Sequence, residues 1–306
     1  MVTSKTPFRE IDIRLPHLRF AARCWGPESG IPFLGMHGWL DNAATYDHIA
    51  PLLPELKLVS LDFHGHGFSD HLPPGIAYHF ADSVDLMFRV ADQLGWEKFN
   101  LIGHSMGAAV AALMGGVIPE RIQNMILIEG LGPFSRRDSF GPRALRLSIE
   151  GMKSIERKSM PLYPNLEAAV QARYKVGGMK LDSVRTLVQR GVKMLENGVT
   201  WASDSRLRVG SRTYFSEEQI IEFLKQIRCP TLLIHGDFYF QENPDWQQRM
   251  RARCEYVPDL QDVLLPGGHH LHLDNPKPVA QAIRFFLKNR ICSSDYWGMS
   301  PTTPST

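Results

Sequence analysis

Two short segments of alternating hydrophobic and polar residues open the chain, Phe8 to Leu15 and Leu18 to Trp25, hinged at Pro16-His17. Alternation on both sides of a turn predicts an antiparallel hairpin at a sheet edge. After Trp25 the pattern changes to short apolar runs without alternation: Pro32 to Met36, Leu56 to Leu61, Phe99 to Ile102, Met125 to Ile128, Thr231 to Ile234 and Val263 to Leu265. Runs of this kind suit parallel strands buried on both faces. Helical stretches lie between several of them: Asp82 to Leu94, Met106 to Val117, Asp245 to Arg253 and Pro278 to Asn289. Strands alternating with helices predict an α/β fold, a doubly wound and mostly parallel sheet that binds ligands at the carboxyl ends of its strands. No internal repeat is visible.

One stretch breaks the rhythm. From Pro133 to Arg228 no convincing pair of strands appears, but helical segments do: Arg143 to Lys158, Leu166 to Val176, Leu181 to Met194 and Glu217 to Ile227. The reading is a core of residues 1–132 and 229–292, with a helical cap, 133–228, inserted between consecutive strands over the carboxyl edge. The Ser/Thr/Pro-rich tail, 293–306, is expected to be disordered. Residues 136–228 carry 18 Lys+Arg against 10 Asp+Glu. That excess fits an ordinary solvated helical surface, or a basic lid that draws in anionic or carboxylate-bearing substrates.

Composition narrows the class. With 306 residues and 43% hydrophobic content, the chain can build one large core with an insertion. A formal net charge of +2 gives no field for nucleic acid. No apolar run approaches the roughly 18–20 residues of a membrane span, and the N-terminus lacks a signal-like apolar region. The four cysteines, Cys24, Cys229, Cys254 and Cys292, form no C-x-x-C pair and read as free thiols in a reducing compartment. The expectation is a soluble, cytoplasmic protein; the closing Thr-Pro-Ser-Thr is not a peroxisomal Ser-Lys-Leu ending.

The chemistry centres on Gly103-His104-Ser105-Met106-Gly107, set between a strand-like run and the Ala-rich helical run from Ala108 to Met114. Strand, G-x-S-x-G, helix is the nucleophile elbow, a turn so tight that its serine adopts a strained backbone. Small residues two before and two after the serine let strand and helix approach, hence Gly103 and Gly107. The turn would lift the Ser105 hydroxyl clear of the sheet, at a helix N-terminus that favours negative charge. A serine hydroxyl needs a base to become a nucleophile. Of twelve histidines, the informative ones follow the last strand, in Pro266-Gly267-Gly268-His269-His270-Leu271-His272. His269 directly follows the glycines and is the expected base; His270 and His272 read as loop or packing residues. An oxyanion hole requires two backbone N–H groups. Met106, after the nucleophile, and Trp39, in His37-Gly38-Trp39 after an early strand, are the candidates, with His37 bracing the loop.

Together, His37-Gly38-Trp39, Asp62-Phe63-His64-Gly65-His66-Gly67-Phe68-Ser69, Gly103 to Gly107, His235-Gly236-Asp237 and Gly268-His269 resemble the α/β-hydrolase superfamily, over about residues 30–290. His37-Gly38-Trp39-Leu40-Asp41-Asn42-Ala43-Ala44 looks like the serine hydrolase-like proteins, relatives of the epoxide hydrolase and haloalkane dehalogenase branch. Those two groups use an aspartate nucleophile, so Ser105 points to acyl transfer to water instead. The resemblance implies an α/β-hydrolase core and a serine–acid–histidine order along the chain. One position departs. Where the superfamily usually places its acid, three residues after Gly236, this chain has Tyr239. Some enzymes of the dehalogenase branch carry the acid at the end of the sixth strand, which here is Glu129. Glu129 is the preferred candidate, and Asp237 remains open.

Two other readings compete. His64-Gly65-His66-Gly67-Phe68-Ser69-Asp70-His71 resembles the H-x-H-x-D-H metal motif of the metallo-β-lactamase fold. Its aspartate falls two residues too late, and its glycines match the hydrolase loop, so no metal is assigned. Alternatively, with Tyr239 in the acid slot, the fold could serve as a small-molecule binding module that turns over slowly or not at all. The favoured expectation is a serine hydrolase acting on a small ester-like substrate through an acyl-enzyme, without a cofactor. Apolar cap residues such as Phe134, Leu145, Leu147, Met152, Met160 and Met194 suit an apolar substrate group, or pack the cap helices on one another. No oligomeric state is assigned.

Overall fold

In a computed structural model that describes residues 8–155, 157–237 and 244–291, the unalternating apolar runs become the interior of one eight-stranded sheet. Hairpin strands β1 (Arg9–Leu15) and β2 (Leu18–Trp25) form its edge, and β2 pairs antiparallel with β4 (Leu56–Leu61). The remaining strands, β3 (Ile31–Met36), β5 (Phe99–His104), β6 (Ile122–Ile128), β10 (Thr231–Gly236) and β11 (Leu260–Leu265), run parallel to β4. Every residue of β5 and of β10 is buried, which is why neither shows a polar alternation.

Helices α1 (Asp82–Gln93) and α2 (Met106–Val117) pack one apolar cluster against the sheet, through Met87, Val90, Val110 and Met114. The last helix, Pro276–Ile291, packs another through Val279, Ile283 and Phe286. Among the described residues no helix is long and apolar enough to cross a membrane.

The sheet order is β1-β2-β4-β3-β5-β6-β10-β11. The chain leaves β3 toward β4 on one side and continues from β5 toward β6 on the other. Loops that diverge in this way open a crevice at the carboxyl ends of β3 and β5, the topological switch point of an open sheet. His37-Gly38-Trp39 and Ser105 stand there.

The segment between β6 and β10, adjacent strands of the sheet, differs from the all-helical expectation. It holds α3 (Gly141–Ile155), α4 (Leu166–Tyr174) and α5 (Leu181–Gly191), but also a three-stranded antiparallel sheet of β7 (Leu162–Tyr163), β8 (Val192–Leu195) and β9 (Gly198–Trp201). The helix expected to reach Met194 stops at Gly191, and Val192 turns to extended backbone. Leu195 then pairs with Gly198 across a two-residue turn. Gly198 has φ +143, and a Cβ there would lie 2.1 Å from the Tyr163 carbonyl oxygen. Asn197-Gly198 was the visible turn signal.

Helix α6 (Glu217–Lys225) also departs from the expected boundary. Its Ile220 and Leu224 join the core cluster on α2, so the closely packed insertion ends before it. The insertion's own cluster comprises Val170, Val184, Leu187, Val188 and Val199, joined by Leu273 from beyond β11. The tail beyond 291, including Cys292, lies outside the described residues.

Many of the insertion's cations are used internally. Arg190 is buried, with Nε donating to Asp62 at 3.0 Å and a second nitrogen donating to both Glu10 carboxylate oxygens at 2.7 and 2.8 Å. It thereby ties α5 to the end of β4 and to β1. Arg190→Leu leaves the buried Asp62 carboxylate without its cation and is expected to destabilise the fold by about 3–5 kcal/mol. Urea unfolding checks this; a loss below about 1 kcal/mol contradicts it.

Candidate active site

Ser105 occupies the sharp turn between β5 and α2, with φ +53 and ψ −110. The flanking glycines explain how the turn closes. A Cβ on Gly103 would sit 2.4 Å from the Gly107 carbonyl oxygen, and one on Gly107 would sit 2.1 Å from that of Met36. Either side chain would force strand and helix apart. The Ser105 N–H donates to the Ile128 carbonyl at 2.8 Å, which fixes the turn against β6. Among the described residues, Leu40, Ser105 and Glu129 are the non-glycine positions with positive φ. All three follow carboxyl ends of central strands, and strain of this kind concentrates at functional sites.

The other two residues of the line arrive from neighbouring strands. Beyond β11, Gly267 has φ +152, a conformation open to glycine, and carries the chain back to His269. His269 Nε2 lies 3.0 Å from Ser105 Oγ, and its Nδ1 lies 3.2 Å from Glu129 Oε2. With Nδ1–H donating to the carboxylate, Nε2 presents its lone pair to the Ser105 hydroxyl. Glu129 is buried, and its Oε1 accepts the Gly236 N–H at 2.5 Å. Its two oxygens thus face different donors. Asp237 instead accepts the Gly267 N–H at 2.9 Å and braces the glycine loop from below. Tyr239 lies outside the described residues.

Met106 opens α2, so its N–H belongs to the first-turn donors that no intrahelical carbonyl accepts. Trp39 follows β3 on the opposite side of the crevice, and its indole Nε1–H donates to the Leu207 carbonyl of the insertion at 2.9 Å. His37 braces the loop: its Nε2 accepts the Phe63 N–H at 2.9 Å. The arrangement sets a serine hydroxyl, an imidazole, a carboxylate and two candidate oxyanion donors around one crevice.

The histidines of the metal-like motif go separate ways. His66 Nε2 accepts the Leu40 N–H at 3.2 Å, Asp70 pairs with Arg19, and His71 pairs with Asp204. His64 packs on Tyr78, and burial pushes its imidazole down to about 4.

Sequence reasoning passed over a different group. His104, inside the elbow, donates Nε2–H to the His269 carbonyl at 2.8 Å, and burial pushes its pKa down to about 3. His270 Nε2 lies 3.0 Å from Asp41 Oδ2. Burial opposes the charge of Asp41, yet its pairing with His270 holds its carboxyl well below the usual range. His272 bonds Thr45 and packs against His104 at a ring distance of 4.3 Å, the planes tilted by 43°. Asp41 stood in the His37–Ala44 motif and His104 in the elbow, but only the fold sets them side by side.

The insertion packs across these loops. Asn42 donates to the Leu187 carbonyl, and Lys180 Nζ donates to that of Asp274. A cavity of about 540 Å³ lies within the insertion, lined in part by Leu147, Ile155, Met160 and Arg208, whose neighbour Leu207 is the carbonyl that Trp39 reaches. Of the apolar residues named from the sequence, Met152 is buried in packing, while Phe134, Leu145, Leu147 and Met194 are exposed.

Comparison with known proteins agrees with this architecture. A family model described as the α/β hydrolase fold matches residues 31–147. A serine hydrolase-like protein of Dictyostelium discoideum is 31% identical over 87% of the chain and 78% of its own length. A hypothetical protein of Pseudomonas aeruginosa PAO1, known from its crystal structure, superimposes with a TM-score of 0.86 at 38% identity, covering 91% of this chain and 99% of that one. A thioesterase domain from the curacin biosynthetic pathway superimposes with a TM-score of 0.78 at 26% identity, again covering 91% and 99%.

Proposed function

The chain belongs to the serine hydrolase-like proteins of the α/β-hydrolase fold, and from that premise we propose that it hydrolyses a carboxylic ester or thioester through an acyl-enzyme on Ser105. The observation that carries this reading is the continuous line from Ser105 Oγ through the His269 ring to the Glu129 carboxylate, at 3.0 and 3.2 Å.

In this reading the Ser105 hydroxyl attacks the acyl carbon while His269 Nε2 takes its proton. Glu129, held by the Gly236 N–H, keeps the proton on Nδ1 and stabilises the imidazolium that forms. The oxygen of the tetrahedral intermediate takes up negative charge between the N–H groups of Trp39 and Met106, at the positive end of α2. His269 returns its proton to the leaving alcohol or thiol. A water molecule then repeats the sequence on the acyl-enzyme and frees Ser105. The side chains present suffice for these steps without a cofactor.

The likeness to a thioesterase domain supports including thioesters among the substrates. The segment packed over the crevice acts in this reading as a cap that admits a small, partly apolar molecule. Cys229 and Cys254, both pushed up to about 11 by burial, suit inert thiols of a cytoplasmic protein.

A fluorophosphonate probe tests the proposal, because it reacts with a serine only when a base and an oxyanion site activate it. Covalent labelling, mapped by mass spectrometry to the peptide that contains Ser105, is the expected result. A folded protein that takes no label contradicts it and favours a binding module on the same fold.

A further inference from the structure

Directly behind the His269 loop, Asp41, His104 and His270 form a closed group in which each side chain is buried. The hydrogen count inside it is short by one. His104 Nε2 faces the His269 carbonyl oxygen at 2.8 Å, so that nitrogen must carry the hydrogen. A neutral ring then presents a bare lone pair at Nδ1. That atom is buried, has no hydrogen-bond partner, and lies 3.6 Å from Asp41 Oδ2. The same carboxylate oxygen lies 3.0 Å from His270 Nε2. A lone pair and a carboxylate oxygen that face each other in a buried site repel unless something positive stands between them.

We propose that Asp41 Oδ2, His104 Nδ1 and His270 Nε2 are the ligands of a borderline divalent transition-metal ion, with zinc as the type case. Two imidazoles and one carboxylate are the donor set such ions take, whereas magnesium and calcium prefer oxygen alone. Ligand atoms about 2.0–2.1 Å from a tetrahedral zinc ion stand about 3.3 Å apart. The two separations from Asp41 Oδ2, 3.0 and 3.6 Å, bracket that value, and all three atoms lie within 4.8 Å of one another.

The surroundings fit the same reading. A metal-bound histidine characteristically donates its other ring N–H to a carbonyl or carboxylate, as His104 does to His269. Gly38 lies against the ligand atoms: a Cβ there would be 2.9 Å from His104 Nδ1 and 3.1 Å from Asp41 Oδ2, so a larger residue would crowd the ion. Asp41 offers one oxygen, because Oδ1 faces Arg173 at 3.8 Å. His270 binds as the tautomer with its hydrogen on Nδ1, and a water molecule supplies the fourth ligand. An ion so held ties the backbone on both sides of His269, through the carbonyl that His104 bonds and through His270 itself. Metal occupancy therefore sets the rigidity of the loop that bears the proposed base.

Equilibrium dialysis of the metal-stripped full chain against Zn²⁺ tests the site without reference to turnover. One Zn²⁺ per chain is expected in the wild type and in His269→Ala, with at least a hundredfold weaker binding in Asp41→Asn and His270→Gln. No uptake by folded wild type overturns the proposal. So does loss of uptake in His269→Ala, or its retention in both ligand variants, since the ion would then sit elsewhere. Should the ligand variants fail to fold, Co²⁺ bound to the wild type decides. An intense visible band of tetrahedral nitrogen–oxygen coordination supports the site, and a weak octahedral-type spectrum or none refutes it.

Discussion

Ser105→Ala is expected to lower kcat/KM by about 10⁴-fold or more and to leave the thermal midpoint nearly unchanged. The two halves of that expectation have separate causes. Activity falls because, in the proposed mechanism, the deleted oxygen is the atom that forms the acyl bond. Stability holds because alanine has the same Cβ as serine at φ +53, so the substitution adds no backbone strain. Loss of the hydroxyl also strands nothing in the core, since the His269 side chain is 26% exposed and water can reach its ring. Hydrolysis of short-chain p-nitrophenyl esters and of acyl thioesters, measured beside a melting curve, checks both halves. A rate near wild type removes Ser105 from the mechanism. A collapse of the melting transition would mean that the hydroxyl holds the elbow together.

How far the sequence could be read depended on how local each constraint is. Gly103, Ser105 and Gly107 were legible because one strand–turn–helix unit contains the whole geometry, and the collisions a Cβ would make explain the glycines. His269 was legible because it follows the Gly-Gly loop that must turn back from the last strand. Glu129 and Asp237 could not be separated locally. Their positions follow from sheet register, in which Ile128 pairs with Ile234 and Gly236 with Leu265, setting three strand ends side by side. The small sheet of the insertion was missed because Leu181 to Met194 keeps an apolar spacing that suits a helix, while Gly191 and Asn197-Gly198 decide the backbone. The Asp41–His104–His270 group joins the loop after β3, the last residue of β5 and the loop after β11, and no spacing along the chain reveals such a meeting.

The same register argument makes the second large prediction. Glu129→Gln is expected to lower kcat/KM by about 10⁴-fold, against about tenfold or less for Asp237→Asn, with both proteins folded. The Glu129 carboxylate accepts on both oxygens, from the Gly236 N–H at 2.5 Å and from His269 Nδ1 at 3.2 Å. A glutamine fills the same volume but offers one acceptor and one NH₂ group. With its oxygen kept on the Gly236 N–H, the amide presents hydrogens to His269 Nδ1. The ring then adopts the other tautomer, and Nε2, now carrying a hydrogen, cannot take the proton of Ser105. The imidazolium also loses the negative charge that would stabilise it. Asp237 stands differently: its oxygen accepts the Gly267 N–H at 2.9 Å, and the oxygen of an asparagine accepts it as well. That substitution removes a charge but keeps the brace, so the His269 loop stays in place. Steady-state kinetics of the two variants at one pH, with their melting curves, decide between the carboxylates. The reverse order of effects would assign the acid to Asp237, and equal, small effects would leave the base without a carboxylate partner that matters to the rate.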